Sequence, residues 1–339
     1  MPRRRPACPD QSPRAGLAVT RRLARARAPR TTPASRRLNG KEPPGSSLFA
    51  TATSGHRDAA SDRDARPDSG TVTRAAATGS TVKQTALVTG ASAGIGRALA
   101  RQFARHGHDV VLVARREEAL EDAASEFEDR YGVTATAIVH DLDADGAAQA
   151  LYDDVQDRDL DVGILVNNVG VATYGEFHET DLDAERTQLR LNVETLVVLT
   201  RSFLADFRDR GRGKVLNVGS TAGFVPGPKM AGYYASKAYV NSFSEALAVE
   251  NRTTDVDVSV LCPGPVETEF QERAGMTDSL VGSVFTNDAE SVAAAGYRGL
   301  LAGDTVILPS LLSKATYYGE RITPRPILRR IVERVNGDR

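Results

Sequence analysis

Between residues 85 and 308, short apolar runs alternate with segments of helical period, and no other property of the chain restricts its fold as much. The runs fall at residues 85–89, 109–114, 133–139, 162–166, 215–218, 256–261 and 305–308. The helical segments fall at 95–106, 116–131, 144–157, 182–209, 233–250 and 289–302. Most of these runs are continuously apolar rather than alternating, the pattern of a strand covered on both faces. Strict strand–helix alternation implies right-handed crossovers and a doubly wound, parallel α/β sheet of about seven strands. Such sheets bind ligands beyond the carboxyl ends of their strands, so the informative residues should follow the runs.

The alternation starts late. Of 43 Lys and Arg, sixteen lie in the first eighty residues, with only six of the 44 Asp and Glu. The formal charge of −1 thus divides into about +10 on residues 1–80 and about −11 on the remainder. The first eighty residues are rich in Arg, Pro, Ser, Thr, Ala and Gly and show neither helical nor strand period. They bury too little apolar surface to offset ordering, and disorder is predicted. Residues 17–30 resemble an organelle transit segment in their Arg content. A basic arm could also neutralise phosphates, but a solvated tail needs no partner and no nucleic acid is expected. The chain then divides into an extension (1–80), an α/β domain (81–312) and a helical tail (313–339). Within the tail, residues 324–339 form a basic amphipathic helix whose apolar residues are Ile327, Leu328, Ile331, Val332 and Val335; it either packs on its own body or meets a membrane surface. No run of about 18 apolar residues could span a bilayer. Two cysteines, Cys8 and Cys262, suggest neither a disulfide framework nor a zinc site. The five histidines have no metal spacing, and a cytoplasmic protein is expected.

The first run ends in Thr89-Gly90-Ala91-Ser92-Ala93-Gly94-Ile95-Gly96. Here the chain must reverse from strand to helix and leave room for a pyrophosphate. Gly90 permits the tight turn, Gly94 a close backbone approach, and Gly96 close packing of helix on strand. The new helix aims its free N–H groups and positive dipole end at the phosphates. The second run ends in Ala114-Arg115-Arg116 with no carboxylate. A carboxylate there would accept from a ribose 2′-OH, whereas a guanidinium suits a 2′-phosphate. The reading is NADP(H) ahead of NAD(H), with Arg115 first and Arg116 in support. Asp141 and Leu142 end the third run; Asp141 either meets the adenine amino group or caps the following turn. The fourth ends in Asn167-Asn168-Val169-Gly170, where amides can tie strand ends together and line the ribose side of the cleft.

The fifth run ends in Val218-Gly219-Ser220, and thirteen residues on comes Tyr233-Tyr234-Ala235-Ser236-Lys237. Tyr233 and Lys237 are four apart and share a helical face. Hydride addition to a carbonyl leaves negative charge on oxygen, which must take a proton. A phenol, with a pKa near ~10, is a poor donor or acceptor at neutral pH unless a neighbouring ammonium stabilises the phenolate. Lys237 can supply that charge, Ser220 can hold the carbonyl oxygen, and Asn192 could hold a water beside the lysine. Tyr234 competes with Tyr233 but is three residues from the lysine. After the sixth run, Pro263-Gly264-Pro265-Val266-Glu267-Thr268 forces an extended turn, where Val266 and Thr268 could meet a carboxamide.

Taken together, residues 89–96, 167–170, Asn192, Ser220, 233–237 and 263–268 resemble the short-chain dehydrogenase/reductase family along about two thirds of the chain. The resemblance implies a single Rossmann-type domain. It implies Tyr233 as general acid/base, Lys237 as pKa modifier and ribose ligand, Ser220 as substrate-orienting group and Asn192 as water holder. The cofactor contacts implied are Gly90, Ser92, Gly94, Ile95, Gly96, Arg115, Arg116, Asp141, Leu142, Asn168, Gly170, Tyr233, Lys237, Pro263, Gly264, Val266 and Thr268. Val169 stands where alanine is more usual. Homodimers or homotetramers form in such proteins through the two long helices. The activity implied is hydride transfer between NADP(H) and a carbonyl or secondary alcohol of small-molecule size; a non-catalytic NADP-binding regulator on the same fold is the alternative. The substrate should be shaped by residues 171–177, 222–230 and 269–285.

Overall fold

Seven strands form one wholly parallel sheet, in the order β3-β2-β1-β4-β5-β6-β7. The computed structural model describes residues 83–266 and 287–337, all within one compact unit, Ala75–Arg339. The basic extension, Thr268 and the 269–285 segment lie outside the described residues. The strands are β1 (Thr85–Thr89), β2 (Val110–Ala114), β3 (Ala135–Val139), β4 (Val162–Asn167), β5 (Gly213–Val218), β6 (Val256–Leu261) and β7 (Val306–Ile307). The order reverses between β1 and β4, which pair Ala86 with Ile164 and Val88 with Val166. At such a reversal the crossovers leave in opposite directions and open a crevice.

Nine α-helices lie among the described residues: α1 (Gly94–Arg105), α2 (Glu117–Tyr131), α3 (Ala147–Asp157), α4 (Leu182–Leu189), α5 (Thr195–Asp209), α6 (Ala231–Asn251), α7 (Ala289–Ala302), α8 (Leu311–Ile322) and α9 (Arg325–Asn336). Because successive strand residues face opposite ways, each strand feeds two cores. Ala86 and Val88 of β1 pack with Leu99 and Phe103 of α1, Phe127 of α2 and Leu300 of α7. Leu87 points the other way, into a cluster with Leu151 of α3 and Leu199, Phe203 and Phe207 of α5. The result is the three-layer, doubly wound architecture expected from the alternation.

Two departures from the sequence reading matter to the site. The single helix expected over 182–209 is divided by a π-helical turn, Arg190–Glu194, which carries Asn192. Such turns need an extra residue, so hydrophobic spacing alone does not reveal them, and they recur at functional sites. The tail also holds an additional helix, α8, which ends before the Thr323-Pro324 step because the residue before proline is driven out of helical geometry. No helix among the described residues is long and apolar enough to cross a membrane.

Phe203 is 1% exposed, edge-on to Tyr152 at 5.2 Å between ring centroids. Phe203→Ala should cost about 3–5 kcal/mol, read as a lowered urea midpoint with an unchanged slope.

Candidate active site

The glycine turn shows why its small residues are needed. Gly90 and Gly94 take φ of +69° and +55°, the left-handed region. A Cβ on Gly96 would lie 2.3 Å from the Gly90 carbonyl oxygen, so only glycine lets α1 sit this close to the end of β1. Ala93, the residue that opens α1, offers its first-turn N–H groups no side-chain acceptor. Ser92, Gly94 and Ile95 line a cavity of about 1100 Å³ at the carboxyl edge of the sheet. An anionic group is the complementary occupant of such a helix end.

Asn168 ties the turn to β4. Its backbone N–H donates to Thr89 Oγ1 at 2.9 Å, and its Nδ2 to the Thr89 carbonyl at 2.9 Å. Asn167 points into the body, donating to Thr200 and Asn217. The two amides therefore divide the strand-tying work expected of them.

Arg115 and Arg116 both border the cavity. The Arg116 guanidinium donates to Ser92 Oγ from Nε at 3.3 Å and from a terminal nitrogen at 3.1 Å, bringing it against the glycine turn. Arg115 is exposed and stands 3.9 Å from Asp141. Asp141 also accepts from the Asp143 N–H at 3.1 Å, a local turn of the kind weighed for it, while still facing the cavity beside the buried Leu142. Pro263, Gly264 and Val266, after β6, line the cavity on the Ser220 side, where the Pro263 carbonyl accepts from the Thr221 N–H at 2.9 Å.

Ser220, Tyr233 and Lys237 meet on the cavity wall. Ser220 follows β5 in extended conformation, its Oγ accepting from the Ala222 N–H at 3.0 Å. The Ser220 side chain lies beside the Tyr233 side chain, close enough to act on its ionisation. Lys237 is buried, donates from Nζ to the Val218 carbonyl at 2.8 Å, and has Nζ 5.9 Å from the centre of the Tyr233 ring. Burial pushes the Tyr233 hydroxyl up to about 12, against the neighbouring Ser220 hydroxyl, which acts to lower it. Burial likewise brings Lys237 down to about 8. Desolvation, not the ammonium, thus sets the phenol here, the reverse of the direction read from spacing.

Asn192 sits behind this wall rather than on it. Its Oδ1 accepts from the Val171 N–H at 2.9 Å; its Nδ2 donates to the Val171 carbonyl at 2.9 Å and to Ser236 Oγ at 3.0 Å. A Cβ on Gly170 would lie 3.0 Å from Asn192 Oδ1 and 3.7 Å from Lys237 Nζ, so Gly170 lets the two groups face one small space. Thr268 lies outside the described residues.

Two parts of the site escape sequence reasoning. Buried Glu185 and Gln188 of α4 hold the loop at Thr173: its hydroxyl donates to Glu185 Oε1 at 2.7 Å and its N–H to Gln188 Oε1 at 2.9 Å. A Cβ on Gly232 would strike both side chains, so this pair also seats the start of α6, next to Tyr233. Nothing in the local sequence marks two polar helix residues as buried. The second is the far wall, built by α8 and α9 with Leu312, Leu328, Ile331 and Val332 among its members. The three-and-four spacing of apolar residues in 327–335 was the available signal, but it does not say what the face covers.

The short chain dehydrogenase family model matches residues 84–278. The chain is 35% identical over 193 residues to the very-long-chain 3-oxoacyl-CoA reductase of Anas platyrhynchos, covering 55% of this chain and 61% of that one. It is 34% identical over 185 residues to the 7beta-hydroxysteroid dehydrogenase of Clostridium sardiniense, covering 55% and 70%. A solved short-chain dehydrogenase from Sphingobium yanoikuyae in complex with NADPH superposes with a TM-score of 0.65 at 32% identity, covering 70% of this chain and 91% of that one. With this match over more than half its length, with the seven-stranded sheet and with the glycine turn beneath a Ser–Tyr–Lys wall, the chain belongs to the short-chain dehydrogenase family of oxidoreductases.

Proposed function

We propose that the protein is an NADP(H)-dependent reductase of ketones or aldehydes, run in reverse as a dehydrogenase of the corresponding alcohols. The observation that carries this reading is the placing of Tyr233 beside Ser220. The two share one cavity wall with Lys237, one helical turn along from Tyr233, and one cavity with a glycine turn shaped for phosphate.

The residues fit a dinucleotide. Gly96 permits the close turn, the α1 N-terminus faces the cavity, and Arg115 and Arg116 border it with guanidinium groups that would hold a 2′-phosphate. A reduced nicotinamide, when bound, supplies the hydride that adds to the carbonyl carbon. As charge develops on the carbonyl oxygen, Ser220 Oγ and Tyr233 Oη hold it, and Tyr233 transfers its proton to it. Lys237 steadies the resulting phenolate from the same helical face. The Asn192 amide, fixed on Val171 and Ser236, keeps the loop beside Lys237 in place. The related 3-oxoacyl-CoA and hydroxysteroid enzymes support a carbonyl or alcohol substrate.

Tyr233→Phe keeps the ring and removes the proton. It should reduce NADPH-dependent ketone reduction by about a hundred- to ten-thousand-fold, followed as loss of nicotinamide absorbance. Full activity in that variant would exclude the assigned acid, and NADPH binding without turnover of any carbonyl by the native protein would favour the regulator.

The pH dependence follows from the two buried groups. Tyr233 stays protonated until about 12, so reduction keeps its donor across the neutral range. Lys237 loses its charge as pH rises through about 8, so kcat/KM should be flat below that pH and fall above it. A profile that climbs steadily from pH 7 to 9 would contradict the assignment.

Arg116 is the guanidinium held against Ser92. Arg116→Ala should raise KM for NADPH at least tenfold while leaving KM for NADH within about twofold, consistent with loss of a charge-assisted phosphate contact.

A further inference from the structure

The cavity extends past Tyr233 into a compartment whose far side is not sheet but tail. Leu312 and Ala315 of α8 and Leu328, Ile331, Val332 and Val335 of α9 face it, with Met230 and Tyr234 opposite. Its polar members from the tail, Thr316, Glu320 and Thr323, all lie on or just after α8. The tail helix α9 is otherwise thinly attached: only Leu328, Val332 and Asn336, spaced four apart, are buried.

Asn336 is fixed at three points. Its Oδ1 accepts from the Tyr234 hydroxyl at 3.1 Å, its Nδ2 donates to the Pro228 carbonyl at 3.0 Å, and its backbone carbonyl accepts from the Tyr174 hydroxyl at 2.8 Å. Tyr174 and Tyr234 belong with Met230 and Tyr233 to one apolar cluster. The end of α9 is therefore fastened to both chain segments that flank the reacting phenol, and an amide, which accepts at its oxygen and donates at its nitrogen, is matched to this seat.

We propose that α8 and α9 enclose an apolar subsite for the hydrocarbon portion of a long or bulky ketone, and that Asn336 is the positioning residue that clasps this wall over Tyr233. The proposal rests on the reductase reading and extends it to substrate class. An apolar wall rewards each buried methylene by about 0.8 kcal/mol, roughly fourfold in kcat/KM. A wall set at a fixed distance gives that gain a definite end.

The test is a series of 2-alkanones from 2-butanone to 2-dodecanone, reduced with NADPH by the full-length protein, Asn336→Ala and Ile331→Trp. In the native protein kcat/KM should climb severalfold per methylene and then level, mostly through KM. Asn336→Ala should cut the ratio of long- to short-chain kcat/KM at least tenfold, again through KM. Ile331→Trp, which fills the compartment from a half-exposed wall position, should bring the levelling point to shorter chains. A flat native series, or the same slope and end point in all three folded proteins, overturns the proposal. Binding of 2-dodecanone to the NADPH-loaded proteins, by calorimetry, separates the two readings. A protein that reduces no ketone defeats the reductase reading, yet 2-dodecanone binding weakened at least tenfold in both variants upholds the subsite. Equal binding by all three removes it.

Discussion

Thr89 holds the molecule's central seam. Its fully buried hydroxyl receives the backbone N–H groups of Asn168 and Val169, at 2.9 and 3.1 Å, where β1 and β4 stop pairing. Parallel strands end with N–H and C=O groups that no neighbour completes, and burying them without partners is costly. Thr89 and Asn168 resolve this at the very place where the crossovers diverge. The glycine turn can then lie flat against β4, and α1 starts from a fixed point. The cavity floor, the α1 N-terminus and the position of Arg116 all follow from that closure.

The other half of the site depends on a different balance. Tyr233 and Lys237 are held where water is scarce, so each is driven towards its neutral form. Their environment is maintained by polar partners behind the wall: Val218 beneath Lys237, Glu185 and Gln188 beneath the start of α6, and Asn192 beneath the loop at Val171. Buried polar networks of this kind are costly when incomplete and specifying when satisfied. Here they fix the approach of α6 to the sheet, which no apolar contact alone would do.

The sheet was legible because its strands are mainly apolar and recur between helical segments, and the chain just beyond β1, β2 and β5 carries residues with chemistry. Gly96 could be assigned to packing from spacing alone, and the distance to Gly90 gives the reason. The state of Tyr233 could not be read this way. Sequence places an ammonium four residues from a phenol, but the desolvation that outweighs it comes from elements distant in the chain. Asn336 was equally hidden, since its partners Tyr174, Pro228 and Tyr234 lie more than a hundred residues away. The relative order of Arg115 and Arg116 was set by sequence position, whereas Ser92 brings Arg116 nearest the turn.

The π-helical turn at Arg190–Glu194 acts as a phase adjuster between α4 and α5. An α-helix advances 100° per residue, so one surplus residue lets α4 present Glu185 and Gln188 to the Thr173 loop while α5 keeps Phe203 and Phe207 on the sheet. Excising a single residue there would yield a smoother rod and a misaligned one: either the aromatic side chains or the carboxylate–amide pair would swing off target by about a quarter turn. Length at this point is thus more tightly constrained than identity, and insertions tolerable in any surface loop would be felt at the phenol.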